Sequence, residues 1–102
     1  MVEGLTKEAA TFYDYVTQLA FNNGDVPAEH RQRLKELVTR VVEILQQTIG
    51  IIDFWNKPIE VKKLRAKIDT EILLANIPQL TARHERIAVE IVKLAEKRHA
   101  EN

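Results

Sequence analysis

Apolar residues recur along this chain at helical spacing in four stretches, separated by turn-forming residues. Leu5, Ala9, Phe12, Val16 and Leu19 fall on one stripe, which predicts a first helix over about 7–22. Thr6 is placed as its N-cap, and Glu8 sits in the first turn, where the helix dipole favours negative charge. Asn22-Asn23-Gly24-Asp25 is turn chemistry and ends it. A second helix is expected over 27–48, with Pro27 in its first turn. Leu34, Val38, Val41, Val42, Leu45 and Ile49 share a face there, and Leu37 and Ile44 widen the apolar arc to roughly 160°. So wide an arc predicts a central helix touching two neighbours, with Glu36, Arg40, Glu43 and Gln47 facing water.

Gly50 interrupts the pattern, and Ile51-Ile52-Asp53-Phe54-Trp55 is expected to form a buried connector. Asn56 is positioned to cap a third helix over 57–75, with Pro58 in its first turn and Val61, Leu64, Ile68 and Ile72 as its core stripe. Leu73 and Leu74 lie off that stripe and should contact something else. Asn76-Ile77-Pro78 breaks the helix, because the residue before a proline is pushed out of the α region. A last helix is expected over 79–99, with Leu80, Ile87, Ile91 and Leu94 inward and Lys93, Lys97 and Arg98 near its C-terminus. The pattern predicts a single all-α domain spanning 1–102, a four-helix bundle or helical array without internal repeats.

Composition narrows what such a domain does. With 45% apolar and 29% charged residues the chain has the balance of a globular domain and not of a disordered one. Its 15 basic and 15 acidic side chains cancel, so no global field draws it to nucleic acid or anionic lipid. Cysteine is absent, which excludes disulfides, thiolate metal sites and a thiol nucleophile. No long apolar run is present and Met1-Val2-Glu3-Gly4 lacks the features of a signal peptide, so a cytoplasmic protein without membrane contact is expected. A helical pattern starting so soon after Met1 equally fits a piece of a longer chain.

The search for chemistry returns little. Gly4, Gly24 and Gly50 are the only glycines, and neither a phosphate-binding G-x-x-x-x-G-K-[ST] loop nor a dinucleotide G-x-G-x-x-G can be written with them. His30, His84 and His99 form no pair at metal-ligand spacing. No catalytic, cofactor-binding or metal-binding residue is therefore assigned. His84 lies at the margin of the last helix's apolar stripe, about 60° from Ile87, and reads as a half-buried histidine bonded to a neighbour. Asp69, Glu71, Glu85 and the adjacent arginines read as solvated helix faces. Lys62, Lys63, Arg65 and Lys67 are the one local basic concentration and the candidate phosphate contacts, although Lys62 and Lys67 point some 140° apart. Phe54 and Trp55 are either buried core aromatics or anchors for a partner.

The order of local motifs resembles the C-terminal helical region of type I restriction enzyme restriction (R) subunits. Gly4-Leu5-Thr6-Lys7-Glu8 followed by Phe12-Tyr13-Asp14 is similar to that region's G-L-[ST]-x-E-E…F-Y-D opening. Leu37-Val38-Thr39-Arg40, the connector ending Ile52-Asp53-Phe54-Trp55, and Val61-Lys62-Lys63-Leu64-Arg65-Ala66-Lys67-Ile68 resemble its I-D-W…V-R-A-K-[ML] pattern, and Ile77-Pro78 its proline-containing break. The basic run is shifted relative to the compact V-R-x-K-[LM] form, so no role of an individual basic residue carries over. The resemblance implies a parent that translocates and cleaves DNA using ATP and Mg²⁺, with its motor and nuclease encoded upstream and absent from this chain.

The resemblance thus implies a non-catalytic assembly module docking on the rest of the R subunit and on the methyltransferase and specificity subunits, reaching DNA through the complex. Residues apolar but off the core stripes are the expected contacts: Tyr13, Tyr15, Phe21, Leu73, Leu74, Val89 and Val92, together with Phe54 and Trp55. The competing expectations are an accessory DNA-contacting domain and a free-standing dimeric helical protein.

Overall fold

The computed structural model describes residues 4–21 and 24–101, with side chains as far as His99. The elements are α1 Lys7–Ala20, α2 Ala28–Thr48, the 3-10 turn Phe54–Asn56, α3 Pro58–Leu74, α4 Pro78–Thr81 and α5 His84–Glu101. The four long helices close a ring in which α2 packs between α1 and α3, α3 packs on α2 and α5, and α5 returns to α1. This is the all-α bundle expected from the pattern.

Helix α1 begins as its sequence dictates: the Thr6 hydroxyl accepts the Ala9 N–H at 3.1 Å, and Glu8 lies in the first turn. It ends at Ala20, because Phe21 turns to extended backbone and drops its ring into the core. Of the turn expected there, Asn22 and Asn23 lie outside the described residues, as do Met1, Val2 and Glu3. Thr17 is the one buried polar residue of the described core, and its hydroxyl donates to the Tyr13 carbonyl at 2.7 Å. Helix α2 starts one residue later than expected, with Pro27 in extended backbone as N-cap. Its wide arc is filled: Leu34, Leu37, Val38, Val41, Val42, Ile44 and Leu45 are all buried, as two neighbouring helices require.

The connector departs from expectation. Phe54 is buried, but Ile51 is 40% and Ile52 87% exposed. Asp53 adopts the left-handed region at φ 60°, and successive tight bonds, Ile51 N–H to the Thr48 carbonyl and Phe54 N–H to the Ile51 carbonyl, coil the chain too sharply to bury three apolar side chains. Asn56 does not cap α3. Its amide donates to the Asp53 carboxylate at 2.6 Å, closing the 3-10 turn, and Lys57 holds the cap position without a side-chain bond.

The last helix is broken in two. Asn76, left-handed at φ 54°, reverses the chain after α3, and Pro78 opens the four-residue α4. The Arg83 N–H then bonds the Leu80 carbonyl three residues back, a tightened turn, before α5 resumes at His84. The break lets Ile77 and Leu80 both point into the core at full burial. It also rotates the buried stripe of α5 onto Ile87, Ala88, Ile91, Val92 and Ala95, so Leu94, expected inward, is only half-buried.

Candidate interaction surface

The residues proposed as contacts divide by burial. Tyr13, Phe21 and Val92 are core residues, 8%, 7% and 6% exposed, which removes them from the surface. Tyr13 and Val92 are buried because each long helix touches two neighbours, so its buried arc is wider than one apolar stripe, and Phe21 because the extended backbone after α1 turns its ring inward. Phe54 is likewise core, 2% exposed, with Trp55 packed edge-on at a ring separation of 5.0 Å. Trp55 is half-buried, and its indole N–H has no acceptor among the described residues. Tyr15 and Val89 are half-buried. The Tyr15 hydroxyl donates to Glu90 of α5 at 3.1 Å, and burial followed by that carboxylate raises its pKa above the ordinary phenolic value of 10.0.

Leu73 and Leu74 are open to solvent, at 42% and 72%. They have company that the sequence reading missed: Ile59 is 70% exposed, and Ile51 and Ile52 lie at the same end of α3 as Ile59. A helical wheel would have found Ile59, since it stands about 180° from Ile68. Helix α3 therefore carries apolar side chains on both of its faces. Its core face is Leu64, Ile68 and Ile72, each at most 1% exposed.

The basic cluster is split by the same ridge. Lys63 and Lys67 line a groove of about 430 Å³ between α2 and α3, together with Arg40, Ile44 and Ile51. Lys62 and Arg65 line a second groove of about 420 Å³ between α3 and α5, with Asp69, Glu85 and Val89. Lys63 pairs with Glu60 at 3.6 Å, whereas Lys62 and Lys67 have no ion pair among the described residues.

Of the acids expected on solvated faces, Glu85 is exposed as expected, whereas Asp69 and Glu71 bridge helices. Arg40 of α2 sits between Glu43, at 3.7 Å, and Glu71 of α3, at 3.6 Å. His84 Nδ1 meets the Asp69 carboxylate at 2.6 Å, which fixes the start of α5 against α3 and gives His84 the bonded, half-buried role its position suggested. Arg83 next to it donates to the Leu19 carbonyl at the end of α1. These contacts orient the elements against one another. Among the described residues no three His, Asp or Glu side chains gather within reach of one metal ion, and no helix is long and apolar enough to cross a membrane.

No known protein family, curated protein or solved structure matches the chain.

Proposed function

We propose that this chain is a non-catalytic assembly module of a type I restriction R subunit, docking on the motor of that subunit and on the methyltransferase core. One observation carries the assembly role: five large apolar side chains, Ile51, Ile52, Ile59, Leu73 and Leu74, stand in solvent on α3 and its connector although the core beneath them is full. Exposed apolar side chains grouped at each end of one helix mark a face suited to a partner.

The particular parent is supported by the motif order, and the matching residues punctuate the fold. Thr6 caps α1, Asp53 makes the left-handed turn that sends Phe54 inward, and Pro78 opens α4. Motor, nuclease, ATP and Mg²⁺ belong in this reading to the preceding part of the parent, and DNA is reached through the complex. A pull-down tests it. With this segment deleted, the R subunit should lose its methyltransferase partner while its motor still hydrolyses ATP. Undiminished capture would overturn the proposal.

A further inference from the structure

The solvent face of α3 has a composition that specifies its occupant. Taking Ile59 as origin, Ala66, Thr70, Leu73 and Leu74 all fall within about 60° of it, directly opposite the buried Leu64, Ile68 and Ile72. Ile59 and the Leu73-Leu74 pair are fourteen and fifteen positions apart, which is about 21–22 Å along the axis. The apolar groups thus stand at the two ends of the face, with Ile51 beside the Ile59 end in the α2/α3 groove. Between them, Lys62 flanks one side of the ridge and Lys63 and Lys67 the other. Acids flank both sides: Glu60 and Glu71 on the α2 side, engaged with Lys63 and Arg40, and Asp69 and Glu85 on the α5 side, where Asp69 is engaged with His84.

We infer that this face receives a single amphipathic helix of a partner protein, apolar at both ends of its contact stripe and acidic between them. The inference rests on the reading of the chain as an assembly module and names the surface and the chemistry of its partner. Charge decides among occupants. A second copy laid parallel on this face sets each lysine against itself, and one laid antiparallel brings the two Lys67 side chains together at its centre, which opposes self-association. Duplex DNA wants its cations in one stripe along the phosphates, whereas here they are divided by a ridge whose ends are isoleucine and leucine. Carboxylates on the middle turns of a partner helix would meet Lys62 and Lys67, which have no ion pair among the described residues, while the apolar ends would cover Ile59, Leu73 and Leu74.

The probe is a synthetic helical peptide of about fourteen to eighteen residues. It carries leucines at both ends of one face and glutamates between them, with a second peptide in which lysines replace the glutamates. Titrated into the full chain, the glutamate peptide should bind with a dissociation constant on the order of 10 μM and shift amide resonances over residues 51–74. Leu73→Ser with Leu74→Ser should weaken it by about tenfold or more. Lys62→Glu with Lys67→Glu should exchange the preference, rejecting the glutamate peptide and admitting the lysine one.

Equal binding of both peptides, or of neither, overturns the inference. So does displacement of the peptide from α3 by a short DNA duplex at low salt, or a concentration-dependent dimer abolished by Leu73→Ser with Leu74→Ser. The deletion experiment on the R subunit is read separately. Loss of assembly without peptide binding refutes only the assigned surface, and peptide binding with assembly intact refutes only the assembly role.

Discussion

Two non-glycine residues among those described hold backbone conformations that few side chains tolerate, and both sit where a long helix must be entered or left. Asp53 and Asn76 lie in the left-handed region, where short polar side chains are admitted and β-branched ones are strained. Asn76→Val should cost about 1–2 kcal/mol, and Asn76→Gly should be tolerated, both measured as urea midpoints at constant slope. The Thr6 cap is a second local device, and Thr6→Ala should cost about 1 kcal/mol in the same assay. Thr6 was legible from sequence because capping is local chemistry. The connector was not, because Asp53 in a left-handed turn is a choice the sequence permits without demanding, and it decides that Phe54 goes in while Ile52 stays out.

Tyr15 supplies a pH test at the same scale. Its folded pKa is raised above 10.0 by burial and by Glu90, so the protonated phenol is the form the fold favours. That contribution is fully present below pH 10 and is lost as the pH rises through the folded value. Tyr13, raised chiefly by burial, acts in the same direction. Tyr15→Phe should therefore flatten the alkaline fall in stability above pH 10, read as unfolding midpoints across a pH series. An unchanged alkaline slope would mean that the Glu90 contact does not discriminate between the protonation states.

At the scale of elements, the hydrophobic period predicted the four long helices, and its misplaced faces share one cause. A stripe drawn through the strongest apolar residues locates a helix with one neighbour, yet every long helix here has two. The residues on the second flank include Tyr13 and Val92, read as surface and found buried, and Ala88 and Ala95, buried beside Val92 and outside the stripe drawn from sequence. Helix α2 escaped the error because its arc was visibly wide. Leu34, at the hub of α2 and fully buried, should cost about 2–5 kcal/mol when changed to Ala. Leu74→Ala, by contrast, removes no core contact and should leave the unfolding midpoint nearly unchanged.

The break between α4 and α5 marks the other limit of periodicity. Leu80, Ile87 and Ile91 fit one helix on a wheel, and the chain nevertheless turns between Thr81 and His84. Long-range bonds hold it there: Arg83 to the end of α1 and His84 to Asp69 of α3, partners 64 and 15 residues away that no local pattern could name. The same blindness put Asp69 and Glu71 on solvated faces when both tie α3 to its neighbours.

For the molecule as a whole, the charges balance at a formal net of +0, but the large apolar side chains exposed among the described residues all lie on α3 and the connector that leads into it. On the proposed reading as an assembly module of an R subunit, the domain should reveal itself by what it holds together. Sedimentation velocity of the R subunit mixed with its methyltransferase and specificity subunits, with and without this segment, tests that claim directly. The account predicts one fast-sedimenting complex for the intact subunit, and an apparent affinity weakened by about tenfold or more, at least 1.4 kcal/mol, when the segment is removed. Complexes of the same size and affinity from both forms would contradict it.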